Sequence, residues 1–174
     1  MKPVVIAGAV AAGMSAASVL KRTLPDRQVT VYGREEHISY GACGMPYFIG
    51  GEIESYEKLA VLSPEKAREK RGIDLHVRHE VAAIDRDHHV VEVRNLDSGE
   101  TFEQEYEKLI IATGARAVMP PIPGADLDGV LPLKELADSI DLDAYLSRQK
   151  PERAVIIGGG YIGVEAAEAF RNRG

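Results

Sequence analysis

The stretch Val4-Val-Ile-Ala-Gly8-Ala-Val-Ala-Ala-Gly13 runs a short apolar segment straight into a turn with glycine at both ends. Four apolar residues ended by glycine fit a strand buried on both faces of a parallel sheet. Met14 to Arg22 is rich in Ala and Ser and reads as helix, Pro25-Asp26 stops it, and Gln28-Val-Thr-Val-Tyr32 forms the next strand. This strand–turn–helix–strand order is a nucleotide-binding βαβ unit. Gly8 makes the tight turn, Gly13 lets helix and strand pack closely, and the helix-end amides face a pyrophosphate. Two residues depart from the usual fingerprint. Its middle glycine is Val10, flanked by Ala9, Ala11 and Ala12, and Gly33 stands where an acidic residue holds the ribose. Glu35 and Glu36 are close by in sequence.

Composition narrows the class. The chain has 174 residues, 45% hydrophobic and 28% charged, and its 21 Lys and Arg against 27 Asp and Glu give a net charge of −6. That balance suits a globular protein and offers no phosphate-tracking groove for nucleic acid. Pro3 to Leu20 carries no charge, as a signal peptide or membrane span would. Glycines at the turn positions and the strand that follows favour the βαβ reading over export. A single cysteine excludes an intramolecular disulfide framework and fits a reducing compartment. His88-His89 is read as the start of a strand, with His76 and His79 along another, so the histidines do not form a metal site.

Further along, Ser63-Pro64 starts a helix that Gly72 caps. Ile73 to Val81, His89 to Arg94 and Thr101 to Tyr106 read as three strands, the last two joined through Asp97-Ser-Gly99 as a hairpin. Lys108-Leu-Ile-Ile-Ala-Thr-Gly-Ala115 is another buried strand with a small-residue turn. Met119-Pro-Pro-Ile-Pro-Gly124 is a stiff connector and marks a boundary. Apolar spacing predicts a helix over about 134–148. Arg153 to Ile157 reads as a strand leading into Gly158-Gly-Gly-Tyr-Ile-Gly163, a second fingerprint with all three glycines, followed by a helix over Val164 to Arg171. Two such turns imply two nucleotides. A complete nucleotide domain needs more strands than follow this turn, so the chain reads as the N-terminal part of a larger protein.

Between the two turns lies Cys43, in Ser39-Tyr-Gly-Ala-Cys-Gly-Met-Pro-Tyr-Phe-Ile-Gly-Gly51. Gly41, Gly44, Pro46, Gly50 and Gly51 surround the sulfur with residues suited to backbone geometry rather than core filling. The thiol is expected at a turn that opens a short helix, where the helix N-terminus favours the thiolate.

Two glycine fingerprints, a cysteine between them and Ala112-Thr-Gly114 before the second make a specific combination. The chain resembles the flavoprotein disulfide reductases, within them the single-cysteine branch of CoA-disulfide reductase, NADH oxidase and polysulfide reductase. The C-x-x-x-x-C pair of the dithiol members is absent, since Phe48 stands where its second cysteine falls. The run around Cys43 looks most like CoA-disulfide reductase and related persulfide or polysulfide reductases. The resemblance implies an α/β fold: a Rossmann-like FAD-binding domain (parallel sheet plus antiparallel β-meander) over 1–118, a connector and helix over 119–150, and the start of an NAD(P)-binding Rossmann-like domain over 151–174.

The same resemblance assigns roles. Gly8 to Gly13 would hold the FAD pyrophosphate, and Gly33 and Arg34 would lie by the adenosine. Val81 would meet adenine through its backbone, and Ala112, Thr113 and Gly114 would close over the flavin nucleotide. Gly158, Gly160, Tyr161, Ile162 and Gly163 would bind NADH or NADPH. Ser15, Arg22, Ser39, Ala42 and Arg71 would contact CoA, whose phosphates suit a guanidinium. The family normally has glutamate where Gly33 stands, so restoring it is expected to tighten FAD binding. Cys43 would be the redox thiol of a cytoplasmic, homodimeric enzyme that reduces CoA disulfide. Polysulfide or persulfide reduction, oxygen or peroxide reduction through a sulfenic acid, and a flavin-binding module without turnover are the alternatives.

Overall fold

The computed structural model describes the chain from Met1 to Gly174. In chain order its elements are β1 (Val4–Ala7), α1 (Ala11–Thr23), β2 (Val29–Gly33), α2 (Met45–Ile49), α3 (Pro64–Arg71), β3 (Asp74–Val77), β4 (His79–Asp85), β5 (Val90–Asn95), β6 (Thr101–Glu105), β7 (Lys108–Ile111), α4 (Leu136–Gln149) and α5 (Tyr161–Arg173). The chain divides into two compact units: Met1–Tyr40 with Ala60–Gly114, and Gly41–Leu59 with Ala115–Gly174. The segment around Cys43 thus groups with the C-terminal residues.

The first unit is built on a parallel sheet of order β3-β2-β1-β7. All four β1 residues are buried, as an apolar run without alternation demands. The pleat then sorts them by face. Val4 and Ile6 join Met14, Ala17, Val29, Val31, Ala67, Ile73 and Leu75 in one core, while Val5 joins Tyr32, Val91, Val93 and Tyr106 in another. Burying each such aliphatic side chain contributes about 1.5–3 kcal/mol. The second core brings in residues of the antiparallel β4-β5-β6 meander.

Two strand boundaries differ from the sequence reading. Ile73 to Val81 is not one strand, because Arg78 adopts a left-handed backbone (φ 57°) between β3 and β4. Its N–H donates to Glu35 O and its carbonyl accepts from Leu96 N. The break lets β3 pair parallel with β2 while β4 pairs antiparallel with β5. His76 and His79 consequently lie on separate strands. His88 and His89 precede β5 rather than start it; His88 is turned back onto the Asp85 carboxylate and His89 is left-handed (φ 56°). Helix α3 forms as expected. Ser63 Oγ accepts from Lys66 N, Pro64 takes the first turn, and Gly72 closes the helix at φ 60°.

In the second unit, α2, α4 and α5 meet through Ile49, Leu142 and Ala169. Arg173 ties them together, donating to Ile49 O at 2.8 Å and pairing with Asp143 at 2.5 Å. The α4 start is held by Asp138, whose carboxylate accepts from the Lys134 and Glu135 amides. The strand expected over Arg153 to Ile157 is not formed. No strand of the chain pairs with it, and Val155 and Ile157 stay 89% and 77% exposed. An isolated segment has no ladder to satisfy its backbone. Helix α5 begins at Tyr161, three residues before the expected Val164.

Candidate active site

Strand order locates the first site. From β1 the chain proceeds to β2 and β3 on one side and reaches β7 on the other. The carboxyl ends of β1 and β7 therefore flank the point where the winding reverses, the place where open α/β sheets bind ligands. Gly8 follows β1 at φ 114°, and a Cβ on it would lie 2.1 Å from Ala112 O. A Cβ on Gly13 would lie 1.8 Å from Gly8 O. Both glycines are thus required by backbone approach, and Gly8–Gly13 and Ala112–Gly114 come together at one crevice. Helix α1 rises from this turn with no side-chain cap and no acidic residue in its first turn. Its N-terminal dipole favours an anion there. This turn fits the pyrophosphate of FAD.

The adenosine end differs in detail. Gly33 ends β2, buried, and a Cβ there would fall 2.5 Å from the Ala9 Cβ. The methyl group of Ala9 thus occupies part of the room that a glutamate side chain would use. Glu35 does not stand in for it freely, since its carboxylate accepts from Tyr40 Oη at 2.7 Å. Arg34 follows β2, half-buried. Val81 packs on the second core, beside a register shift between Val81 and Ala83. The extra residue leaves the ladder irregular at that backbone. Under this region the Tyr32 hydroxyl donates to Gln104 Oε1 at 3.0 Å. Burial, with a smaller contribution from the Asp74 carboxylate, pushes its pKa up to about 12.

A second feature of the same unit is a shallow pocket lined by Ser15, Ser18, Val19, Arg22, Ser39 and Arg71, with Met14 and Val61. Its volume is about 260 Å³, below the ~300–1,000 Å³ that encloses a drug-sized ligand. Ser15, Ser18, Val19 and Arg22 share one face of α1 by helical spacing. Arg71 reaches in from the last turn of α3 and donates from Nη1 to Ser18 Oγ at 2.6 Å. Ser39 is held in a left-handed backbone (φ 47°). Its N–H donates to Ala9 O at 3.2 Å and its carbonyl accepts from Val61 N at 2.8 Å. No carboxylate lines the pocket. Four of the five expected substrate residues, Ser15, Arg22, Ser39 and Arg71, are brought together here. Ser18, Val19 and Val61 were missed. Ser18 and Val19 follow from the helical face that Ser15 and Arg22 define, whereas Val61 has no local signal.

In the second unit Ala42, Cys43 and Gly44 form a 3-10 turn leading directly into α2, as the flanking glycines and proline predicted. Cys43 is a free, exposed thiol and Ala42 is exposed beside it. Gly44 packs beside Leu59, whose Cδ2 would lie 2.4 Å from a Cβ and would have to shift to admit one. Gly158 to Gly163 repeats the first turn. Gly158 has φ 115°, and a Cβ on Gly163 would lie 2.1 Å from Gly158 O. Gly160 caps α5 without a side-chain bond, and Tyr161 and Ile162 are exposed at its start.

A parallel sheet with a glycine turn at its switch point, and a second glycine turn that repeats it, define a dinucleotide-binding class of protein. The chain belongs to the pyridine nucleotide-disulphide oxidoreductase family, which it matches over residues 2–174. It is 43% identical over 173 residues to the CoA-dependent NAD(P)H sulfur oxidoreductase of Pyrococcus abyssi, covering 99% of this chain and 38% of that protein. It is 32% identical over 174 residues to the coenzyme A disulfide reductase of Staphylococcus haemolyticus, covering 100% of this chain and 39% of that protein. Among solved structures, reduced Bacillus anthracis CoADR-RHD superposes with a TM-score of 0.95 at 35% identity, over 99% of this chain and 31% of that one. The chain therefore spans well under half the length of these relatives. No helix is long and apolar enough to cross a membrane.

Proposed function

We propose that the chain is part of an NAD(P)H-dependent FAD flavoprotein that reduces CoA disulfide, or CoA-linked mixed disulfides, through Cys43. The observation that carries this reading is the acid-free pocket, in which three serine hydroxyls and two guanidinia line one concavity. CoA's phosphates are the anions such a pocket suits. In this reading Gly8, Ala9, Val10, Ala11, Ala12 and Gly13 hold the FAD pyrophosphate, with Gly33, Arg34 and Val81 at the adenosine and Ala112, Thr113 and Gly114 over the nucleotide. Gly158 to Gly163 hold NADH or NADPH. Residues 1–118 then serve FAD and 151–174 begin the nicotinamide domain. A cytoplasmic homodimer belongs to the same proposal.

Bound FAD would supply the path for two electrons from NAD(P)H to sulfur. The protein's own chemistry is at Cys43. Its thiolate attacks one sulfur of CoA disulfide, the S–S bond breaks, and one CoA leaves as thiolate and takes a proton. Cys43 is then joined to the other CoA as a mixed disulfide. Two electrons and one proton break that bond, freeing the second CoA thiol and restoring the Cys43 thiolate. Phe48 allows no internal dithiol, so the mixed disulfide is the intermediate this chain can form with a disulfide substrate.

The second reading is reduction of polysulfide or a persulfide, favoured by the 43% identity to the CoA-dependent sulfur oxidoreductase. Arg22 separates CoA disulfide from inorganic polysulfide supplied without CoA, which has no phosphate; sulfur reduction that depends on CoA, as in the name of that relative, would use the same contact. Loss of one charge-assisted contact removes about 1.5–3 kcal/mol, roughly ten- to a hundredfold in kcat/KM. In the full-length protein, Arg22→Ala should lower the ratio of CoA-disulfide to polysulfide kcat/KM by that order. An unchanged ratio in Arg22→Ala, Arg71→Ala and the double variant would refute the CoA reading and advance polysulfide.

A further inference from the structure

We propose that Ser18 is a positioning residue that aims Arg71 at the substrate anion without neutralising it. The inference rests on the CoA reading of the pocket and assigns to it a residue that contributes no charge of its own. The Ser18 Oγ–Arg71 Nη1 bond of 2.6 Å consumes one of five guanidinium N–H donors and leaves the positive charge uncompensated. A carboxylate in Ser18's place would hold the guanidinium as well but would cancel its charge and repel a phosphate. Four other arginines are held in that other way, while Arg68 donates to the Leu75 carbonyl. Arg27 pairs with Glu107, Arg78 with Asp97, Arg94 with Glu80 and Arg173 with Asp143.

The hydroxyl has a second consequence. Because its lone pair accepts from Arg71, its own hydrogen points away from that nitrogen and is available to a ligand oxygen. Ser18 lies one helical turn from both Ser15 and Arg22 on α1, on the face that lines the pocket. Arg71 stands at the end of α3, followed by the left-handed Gly72. Without Ser18 it is a long, exposed side chain with many rotamers, and ordering it would oppose binding. Ser18 therefore pre-orders the cation before substrate arrives.

The test uses the full-length, flavin-loaded protein with two disulfides: CoA disulfide and pantethine, the same disulfide end without phosphates. Ser18→Ala should lower the ratio of kcat/KM for CoA disulfide over pantethine by roughly tenfold, mostly through KM. Ser18→Asp, which keeps Arg71 in place, should lower it at least as far, and Ser18→Thr, which keeps the hydroxyl, should restore it to within about twofold. Added to Arg71→Ala, Ser18→Ala should cost little more, since the two act as one unit. A merely structural role for Ser18 would spare Ser18→Asp and move both substrates alike. Full selectivity in Ser18→Ala, or strict additivity with Arg71→Ala, overturns the proposal while the CoA reading stands. If Arg71→Ala itself leaves the ratio unchanged, the CoA reading of Arg71 falls and the proposal falls with it. Alanine is a better helix former than serine, so an unchanged thermal midpoint accompanies the expected result.

Discussion

Gly8 and Gly158 are two glycines with the same backbone and different surroundings, and replacing each by alanine separates strain from packing. Their φ values are 114° and 115°. Alanine in that region costs about 1–3 kcal/mol at either position. At Gly158 a Cβ meets nothing within 4 Å, so strain is the whole cost. At Gly8 the Cβ lands 2.1 Å from Ala112 O and 2.6 Å from Ala112 C. Those are backbone atoms at the end of β7, which cannot swing aside as a side-chain tip would. Relieving the contact means moving the strand end, an overpacking cost of about 1–3 kcal/mol more. Gly8→Ala should therefore lose roughly 2–6 kcal/mol, a large share of the 5–15 kcal/mol of an ordinary domain. The assay is unfolding of the 174-residue chain, read by circular dichroism together with hydrogen exchange. The Ala112 amide donates to Ala7 O at 2.7 Å, and its protection should fall in Gly8→Ala and persist in Gly158→Ala. Equal destabilisation by the two substitutions, with Ala112 still protected, would refute the claim that Gly8 is demanded by the close approach of β7.

Cys43→Ser in the full-length protein should retain FAD and lose disulfide reduction, and the untreated parent should show a CoA adduct on the Cys43 peptide by mass spectrometry; full reductase activity in the serine variant would end the single-thiol mechanism. Gly33→Glu alone is no longer expected to tighten FAD. The gain of about 1.5–3 kcal/mol from a charged hydrogen bond is offset by about 1–3 kcal/mol of crowding against the Ala9 methyl, 2.5 Å from the new Cβ. Combining it with Ala9→Gly should release the gain, and equal FAD affinity in the single and double variants would show that Ala9 does not oppose it. Tyr32 is predicted to ionise late. Its pKa is raised from 10.0 to about 12, so its contribution to stability is complete below pH 10 and is lost as pH rises through 12. Tyr32→Phe should remove that alkaline segment of the unfolding curve; an unchanged segment would place the loss on other groups.

The first βαβ unit was legible because each of its signals is local. An apolar run, a glycine turn and an alanine-rich helix follow one another within a short stretch. The break at Arg78 left no such mark. His76-Val-Arg-His79 contains neither glycine nor proline, and the left-handed residue is set by partners at Glu35 and Leu96. Arg153 to Ile157 fails for the converse reason: its pattern suits a strand, yet hydrogen bonding requires a neighbour that the chain does not place beside it. Within the pocket, Ser15 and Arg22 stand on one helix face. Their meeting with Ser39 and Arg71 depends on the crossovers of the sheet. Ser18 was passed over because the resemblance gave it no role, although helical spacing puts it on that face. Gly33 stands out in the sequence as a departure, but its consequence depends on Ala9, a neighbour only in the folded chain.

The pocket's lack of acid is itself an argument about substrate. In a chain of net charge −6 with 27 Asp and Glu, Arg27, Arg78, Arg94 and Arg173 each pair with a carboxylate. Arg22 and Arg71 share a pocket in which the only side-chain polar neighbours are serines. Two guanidinia lining one pocket without a carboxylate repel weakly, while the last turns of α1 and α3 on which they stand each favour a cation. A bound dianion reverses the sign of that repulsion and turns both cations into attractive partners. In the proposed mechanism Cys43 would react with any accessible disulfide or sulfur chain, so the thiol would not choose between CoA disulfide and polysulfide. The choice falls to groups that recognise the rest of the substrate. On the proposed reading, a phosphate-bearing thiol such as CoA would give Arg22, Arg71 and the serines an anion to bind, whereas inorganic sulfur without CoA would offer them none.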